Sequence, residues 1–252
     1  MTDKRILSSR GIQLYHFDTV DSTNRVARTH AAESGHVPAL FLADAQTQGR
    51  GRLGRSFFSP AQTGIYMTLL MDVTDEDVSS VAKLTSAAAV AVTDVMDKHM
   101  GVDGQIKWVN DIYVNGKKVC GILAESFFCD DRRYVAVGVG INLNTHVFPS
   151  ELEDVAGSVG VSTNKQERVA IAELMGAALW DIFGSLRDKD SSFMDRYRKR
   201  SMVIGKQVTF TESGVTREGF AVAVDDCGGL VVSLADGSHT TLCSGEITLR
   251  LR

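Results

Sequence analysis

The segment "GQIKWVNDIYVNGKKVCGILAESFF" (residues 104–128) places the dipeptide Asn115-Gly116 between two apolar runs. A two-residue hairpin turn of type I′ needs both central residues at positive φ, which asparagine and glycine tolerate better than other residues. The segment therefore predicts two antiparallel strands joined by a tight turn.

Further strands and helices are predicted on both sides of this hairpin. Short apolar runs predict strands over residues 13–17, 39–46, 63–73 and 133–144. Apolar residues at helical spacing, with polar caps, predict helices over residues 24–33, 79–101, about 163–186 and 191–200. Ser22 or Thr23 is the expected N-cap of the first helix, and Thr163 to Gln166 fits a capping box at the third. The basic end of the last helix is expected to be a solvated face.

The pattern changes at Gly205. Short β-rich runs now alternate with turns at Ser213-Gly214, Gly228-Gly229 and Asp236-Gly237. This alternation is typical of a small antiparallel barrel. We therefore expect a domain boundary near residue 202.

Composition indicates an ordinary globular protein. The chain has 252 residues, of which 44% are apolar and 23% are charged. A net charge of -4 argues against general binding to nucleic acid or to an anionic membrane. The four cysteines form no CxxC pair, so free thiols in a reducing compartment are expected. No signal peptide and no apolar run of membrane-spanning length is evident, and a cytoplasmic location is expected.

The stretch "GRGRLGRSFFSP" (49–60) interleaves Arg50, Arg52 and Arg55 with glycines. Glycine-rich backbone can turn N–H groups towards an anion, and arginine adds a planar fork of donors that fits phosphate. The stretch lacks the GK[ST] ending of a P-loop and does not match GxGxxG. It is interpreted as an anion-binding loop, and an exposed mobile loop is the alternative.

Three other polar motifs accompany this loop. "DSTN" (21–24) offers hydroxyls and an amide to an uncharged ligand, although it also suits a helix cap. "KWVND" (107–111) places Lys107 at a strand edge, where a lysine is often only a surface residue. "GVGIN" (138–142) combines glycines that allow close approach with Asn142, whose amide can bind the edge of an adenine.

The order of these motifs, followed by a β-rich tail ending "GEITLR", closely resembles that of biotin–protein ligases from about Gly11 onward. That family attaches biotin to a lysine of an acceptor domain through biotinyl-5′-AMP, using ATP and Mg²⁺. The resemblance implies an α+β fold. A catalytic domain built on a mixed β-sheet with flanking helices would span residues 1–201, and a small SH3-like barrel would span residues 202–252.

The resemblance also implies roles for individual residues. The biotin-binding set is Ser22, Thr23, Asn24, Gln46, Arg50, Gly51, Arg52, Lys107 and Gly121. The nucleotide-binding set is Arg50, Arg52, Asn110, Lys118 and Asn142. The residues expected to serve catalysis are Arg52, Lys107 and Asp111. No metal ligand is assigned, because ATP phosphates are expected to hold most of the Mg²⁺ coordination.

The chain departs from the family pattern at three positions. Phe57 stands where tryptophan is usual, Val109 replaces a proline, and Cys120 replaces a glycine or alanine. None of these changes removes a charged group, so activity is expected and the affinity of the pocket is left open. Val109 is also expected to loosen one turn.

Two other functions compete with this interpretation. A lipoate or octanoyl ligase would need a long apolar channel, which the arginine loop does not favour. A nucleic-acid-binding module is opposed by the acidic net charge. Only about twenty residues precede "DSTN", so a ligase without an N-terminal DNA-binding domain is expected. Its partner would be a biotin carboxyl-carrier domain. The residues do not decide between a monomer and a homodimer.

Overall fold

The computed structural model describes residues 2–7, 10–74, 81–188, 190–212, 214–243 and 247–249. The helices are α1 (Thr23–Glu33), α2 (Val81–Met100), α3 (Lys165–Arg187) and α4 (Phe193–Arg200). The first eight strands are β1 (Thr2–Leu7), β2 (Ile12–Val20), β3 (Ala39–Gln46), β4 (Gly64–Asp72), β5 (Gln105–Lys107), β6 (Asp111–Val114), β7 (Lys117–Cys129) and β8 (Arg132–Asn142). The last five are β9 (Lys206–Glu212), β10 (Val215–Val224), β11 (Leu230–Ser233), β12 (His239–Leu242) and β13 (Ile247–Leu249).

The first eight strands form one mixed sheet in the order β1-β2-β3-β4-β8-β7-β6-β5. Only β2 and β3 pair in parallel, with α1 as the crossover between them, and the other neighbours pair antiparallel. The predicted mixed sheet is confirmed. β1 was not predicted from the sequence.

The predicted hairpin is confirmed and lies next to β5, the edge strand of this sheet. Asn115 and Gly116 have φ values of 51° and 75°, as a type I′ turn requires. They join β6 to β7, and β7 continues across the middle of the molecule to pair with β8.

Helices cover both faces of the sheet, because successive side chains of a strand point to opposite sides. On β3, Phe41 packs with α1 residues Ala27 and Ala31, whereas Leu40 and Leu42 belong to the larger core that includes α2 and α3. Both faces of β3 are therefore buried. This explains why its sequence is a continuous apolar run.

The predicted apolar stripe of α3 is confirmed. Its inner face, which includes Ala172, Met175 and Leu179, is fully buried. Among the described helices, α3 alone has the length and mean hydropathy needed to cross a membrane. The sequence had indicated no apolar run of that length. A core helix of a soluble protein meets the same criterion, and α3 packs against β3, β4 and α2.

Two predicted helix caps are wrong in detail. Ser22 occupies the N-cap position of α1, but its side chain makes no capping hydrogen bond. The capping box of α3 is formed by Asn164 and Glu167, one residue later than predicted. Asparagine caps helices at least as well as threonine, so the two registers compete.

The basic end of α4 is not a solvated face, in contrast to the prediction. Arg200 pairs with Asp94 of α2 at 2.7 Å. Arg198 donates to the carbonyl of Val224 at 2.7 Å and pairs with Asp226, which joins α4 to the C-terminal sheet. These arginines therefore connect parts of the fold that are distant in sequence.

The last five strands form a separate antiparallel sheet in the order β12-β11-β10-β9-β13. The predicted small C-terminal β domain is confirmed. Gly228 and Gly237 adopt positive φ in the predicted turns, whereas Ser213 of the third turn lies outside the described residues. The indole N–H of Trp108 donates to the carbonyl of Gly228 at 2.9 Å, so this sheet contacts the segment that carries Lys107.

Candidate active site

A cavity of about 380 Å³ lies over the sheet where β3, β7 and β8 meet the loop at residues 49–60. All the predicted biotin-binding, nucleotide-binding and catalytic residues line it: Ser22, Thr23, Asn24, Gln46, Arg50, Gly51, Arg52, Lys107, Asn110, Asp111, Lys118, Gly121 and Asn142. Six separate segments of the chain supply them. The structure thus brings the predicted residues together, while their individual roles stay predictions.

One end of the cavity carries uncharged polar groups. The Gln46 side-chain oxygen accepts from the Thr23 backbone N–H at 2.8 Å and from its hydroxyl at 3.2 Å. The Gln46 amide nitrogen donates to the Ser59 hydroxyl at 2.9 Å. These bonds set the orientation of the Gln46 amide, and the buried Ser22 lies beside it. This end suits a neutral ligand that both donates and accepts hydrogen bonds.

A buried network lies next to these groups. The hydroxyl of Thr68, which is fully buried on β4, lies 2.8 Å from the Thr23 hydroxyl and 2.7 Å from the Asn24 side-chain oxygen. The Asn24 amide nitrogen donates to Glu125 at 2.9 Å. Glu125 in turn pairs with Arg50 at 3.2 Å. Hydrogen bonds thus connect the floor of the cavity to the glycine- and arginine-rich loop.

The loop has a defined conformation. Arg50 and Ser56 form an isolated antiparallel bridge, and the N–H of Gly51 donates to the carbonyl of Arg55 at 2.7 Å. At its tip, Leu53 adopts a φ of 55° and is 74% exposed. The loop is therefore a short hairpin over the cavity with an exposed apolar tip.

Charged side chains gather at the middle of the cavity. Arg52 donates to the side-chain oxygen of Asn110 at 3.0 Å. The ammonium of Lys107 lies 5.7 Å from the centre of the Tyr113 ring, and burial raises the pKa of that phenol to about 12, so the ring stays neutral. Lys118 lies 2.6 Å from the carboxylate of Asp111.

The glycines of β8 make room for side chains of the site. A Cβ atom at Gly140 would lie 2.6 Å from the Phe57 ring, and one at Gly138 would lie 2.1 Å from the Asn24 side-chain oxygen. These glycines were expected to leave space for close approach. Here Phe57 and Asn24 occupy it, and the Phe57 ring forms an aromatic wall of the cavity.

Asn142 lies at the far end of the cavity with its side chain buried. Its amide nitrogen donates to the carbonyl of Gly157 at 3.1 Å, whereas its side-chain oxygen is buried without a hydrogen-bond partner among the described residues. A buried oxygen without a partner is costly unless a ligand donates to it. This oxygen can accept a hydrogen bond from an amino group.

The substitutions at positions 109 and 120 leave the site well packed. Val109 is buried, the Trp108–Val109 peptide bond is cis, and the Val109 carbonyl accepts from the Tyr197 hydroxyl at 3.4 Å. The loosening of this turn stays a prediction. Cys120 is fully buried, and burial raises the pKa of its thiol, which stays protonated.

The sequence analysis missed several residues of the site. Thr68 stands alone as a polar residue in the apolar run of β4, a signal that could have identified it. Glu125 is an acidic residue within a long strand, a weaker signal. A second group supplies apolar lining that no motif marked: Phe148, Leu152 and Val155.

Two protein-family models match the chain. The sequence model described as "Biotin/lipoate A/B protein ligase family" matches residues 16–142, and the one described as "Biotin protein ligase C terminal domain" matches residues 203–250. The chain belongs to the biotin/lipoate A/B protein ligase family.

Curated relatives in this family include ligases of two kinds. The chain is 30% identical over 243 residues to the "Biotin--[acetyl-CoA-carboxylase] ligase" of Mycobacterium tuberculosis, covering 92% of this chain and 86% of that protein. It is 38% identical over 167 residues to the "Bifunctional ligase/repressor BirA" of Bacillus spizizenii, covering 65% of this chain and 51% of that protein. The chain thus spans about half the length of that Bacillus relative.

A solved structure of the family has the same fold. The biotin protein ligase from Aquifex aeolicus, solved in complex with biotin and ATP, superposes with a TM-score of 0.78 at 25% identity. The match covers 94% of this chain and 98% of that one. The mixed sheet and the C-terminal β domain therefore both follow the family arrangement.

No cluster of three or more His, Cys, Asp or Glu side chains that could hold a metal ion was found among the described residues. The carboxylate in the cavity, Asp111, is paired with Lys118. The polar groups of the cavity are thus mostly hydrogen-bond donors, amides and cations, a set that suits an anionic substrate better than a protein-held metal.

Proposed function

We propose that the protein is an ATP-dependent biotin–protein ligase, which forms biotinyl-5′-AMP and then transfers biotin to a lysine. The observation that carries the proposal is the layout of the one cavity at residues 49–60. Along β8, the uncharged side chain of Asn24 lies against Gly138, the Phe57 ring lies against Gly140, and the unpaired amide oxygen of Asn142 lies two residues further on, while Arg52, Lys107 and Lys118 line the same cavity. Biotin, phosphate and adenine present the matching groups.

The uncharged end is the proposed site for the ureido ring of biotin. A ureido group has one acceptor and two donors, which the hydroxyls of Ser22 and Thr23 and the amide of Gln46 can match. The Phe57 ring would cover the apolar part of biotin from the loop side. Asn24 supports the position of Thr23 through their common contact with Thr68.

In the first half-reaction, a carboxylate oxygen of biotin attacks the α-phosphorus of ATP, and the bond to pyrophosphate breaks. Two anions must meet, so neutralisation of charge and orientation are the main contributions of the protein. Lys107 and Arg52 supply positive charge here. Mg²⁺ would arrive bound to the ATP phosphates, where it would neutralise further charge.

The far end is the proposed adenine site. The buried side-chain oxygen of Asn142 would accept from the exocyclic amine of adenine, which would satisfy the one polar atom of that side chain that is now unpaired. Lys118, on the hairpin near this end, would contact the phosphate side of the nucleotide.

In the second half-reaction, a neutral lysine amine attacks the acyl carbon and AMP leaves. Free lysine has a pKa of about 10.4, so the amine must lose a proton first. Asp111 is the proposed group that orients or deprotonates this amine. Because Lys118 already binds its carboxylate, that role requires Lys118 to move towards the nucleotide phosphate.

The proposed partner is the biotin carboxyl-carrier domain of a carboxylase, supported by the name of the Mycobacterium tuberculosis relative. We also propose domains spanning residues 1–201 and 202–252, supported by the separate sheets on either side of residue 202. A cytoplasmic location is proposed, supported by four cysteines that are all free.

A single-turnover assay tests this function. The protein is mixed with radiolabelled biotin, Mg²⁺-ATP and a biotin carboxyl-carrier domain, and the adenylate and the labelled carrier are quantified. Labelled carrier that depends on ATP is expected. Calorimetry with biotin and with lipoate then separates the two branches of the family, and binding of lipoate in preference to biotin would overturn the proposal.

A further inference from the structure

Glu125 binds two of the predicted site residues, Asn24 and Arg50, although it does not line the cavity itself. One carboxylate oxygen accepts from Asn24 at 2.9 Å and from Arg50 at 3.2 Å. The other pairs with Arg50 at 3.2 Å. The carboxylate thus binds the Arg50 guanidinium through two nitrogens, a geometry that fixes the plane of the group.

The Asn24 amide is fixed at both of its ends. Its oxygen lies 2.7 Å from the Thr68 hydroxyl, which is fully buried, and its nitrogen donates to Glu125. Gly138 leaves the space that the Asn24 side chain fills. Thr68, Asn24, Glu125 and Arg50 therefore form one continuous network between β4 and the loop.

We propose that Glu125 is a positioning residue that sets the distance between the biotin end of the cavity and the loop. Through Asn24 it fixes the uncharged end, and through Arg50 it fixes the segment that carries Arg52. This inference rests on the proposed ligase function. It also changes the role of Arg50, because Glu125 balances its charge and Arg50 then serves to position the loop.

The test compares Glu125→Gln, Thr68→Val and Arg50→Gln with the unchanged protein. Glu125→Gln keeps the shape of the side chain and removes the charge. We expect it to lower the single-turnover rate of biotinyl-adenylate formation about tenfold or more, because reacting groups are misplaced. Thr68→Val removes the contacts with Thr23 and Asn24 and leaves the pair of Glu125 with Arg50, so it should raise the Kd for biotin and change the rate at saturating biotin much less.

The double variant Arg50→Gln/Glu125→Gln separates positioning from independent roles. If Glu125 acts on the rate through Arg50, the double variant should react no more slowly at saturating biotin than Arg50→Gln alone. If the double variant is slowed by the product of the two single-variant factors, the two residues act independently and the proposal is overturned. A faster reaction of Glu125→Gln would also overturn it, since Glu125 would then restrain the loop. Unchanged rate and unchanged biotin Kd in Glu125→Gln would do the same.

Asp72→Asn is the matched control. Asp72 pairs with Arg132 at 3.0 Å at the other end of the sheet, so its loss should leave adenylate formation unchanged. Thermal melting of every variant, with assays far below each Tm, separates positioning from loss of fold. If the unchanged protein binds biotin and forms no adenylate, the proposed function fails, and the effect of Glu125→Gln on the biotin Kd still tests the network.

Discussion

At the scale of single residues, the site depends on side chains that occupy space left by glycines. Gly138 accommodates Asn24, and Gly140 accommodates the Phe57 ring. The ring of Phe57 is smaller than the indole of the tryptophan that is usual at this position in the family that the chain resembles. It lies against Gly121 as well as Gly140. A small residue on β8 and an aromatic residue on the loop are therefore a matched pair.

Gly140→Ala tests this pair. The new Cβ would lie 2.6 Å from the Phe57 ring, so the ring must move into the cavity or away from it. We expect the affinity for biotin to fall about tenfold or more, because overpacking commonly costs about 1–3 kcal/mol. Calorimetric titration with biotin measures the change.

Gly184→Ala is the control for this substitution. Gly184 lies in α3 with open space around the added methyl group, and alanine should stabilise the helix by about 1 kcal/mol. Its biotin affinity should equal that of the unchanged protein. Equal affinity in Gly140→Ala as well would show that Phe57 has no part in binding biotin.

Arg52→Ala tests the charge at the middle of the cavity. Arg52 is held by Asn110 and is proposed to meet the phosphates, so its loss should slow adenylate formation and speed release of the adenylate into solution. Quenched-flow measurement gives both rates. Arg217→Ala, which removes an exposed arginine from the C-terminal sheet, should change neither. Unchanged rates in Arg52→Ala would contradict the role given to the loop.

At the scale of elements, one carboxylate joins two strands and a helix. Asp44 of β3 lies 3.0 Å from His16 of β2 and 2.9 Å from Lys165 of α3. Although burial opposes the charged form, the hydrogen bonds from Lys165 and His16 outweigh it and lower the pKa of Asp44. The folded state therefore favours the ionised carboxylate.

Asp44→Asn gives a pH-dependent prediction. Because the pKa of Asp44 is lower in the folded state, its stabilising effect is present above the unfolded pKa of about 3.9 and is lost as pH falls through the folded pKa. At pH 7 we expect the variant to lose about 1–3 kcal/mol in the free energy of unfolding. Urea titrations from pH 7 down to pH 3 should show the difference shrinking. A difference that does not depend on pH would show that the charge of Asp44 is not the cause.

At the scale of the whole molecule, the C-terminal sheet is joined to the site rather than appended to it. Its Gly228 accepts the indole N–H of Trp108, the neighbour of Lys107. Its Ile247 lines the cavity, and Arg198 of α4 binds Val224 and Asp226. Substitutions in this sheet should therefore change the rate of the reaction in the cavity.

Gly228→Ala and Gly237→Ala compare two glycines with φ values of +81° and +83°. An alanine at such a φ costs about 1–2 kcal/mol of stability in either variant. At Gly228 the new Cβ would also lie 2.7 Å from the backbone of Ala82, so the sheet must shift from α2 and disturb the Trp108 bond. Only Gly228→Ala should slow adenylate formation. Equal rates in the two variants would show that the contact with Trp108 has no bearing on the site.

The parts of the fold that depend on local sequence were predicted well. The Asn115-Gly116 turn needs only its own two residues, and the apolar stripe of α3 needs only its own period. The motifs and the family resemblance also identified most of the polar residues of the cavity, because glycines and polar groups stand out in apolar runs.

Features that depend on distant partners were not predicted. Glu125 acquires its role from Asn24 and Arg50, which lie about a hundred and about seventy-five positions away in the chain. The basic end of α4 looks solvated in isolation, yet Arg198 finds partners in a sheet that follows it in the chain. The capping box shifted by one residue because two adjacent side chains cap a helix comparably well. Pairing across the fold decides the first two cases, whereas the capping box is a local choice between adjacent residues.

The position of Ile247 in the wall of the cavity has a consequence for biosynthesis. Residues 16–142 carry nearly all the polar groups of the site, and a ribosome makes them well before it reaches residue 247. A nascent chain can therefore build the sheet and most of the cavity while one wall is still missing. The complete cavity forms only after this later strand has emerged and docked, so a strand made after the rest of the site supplies its last wall.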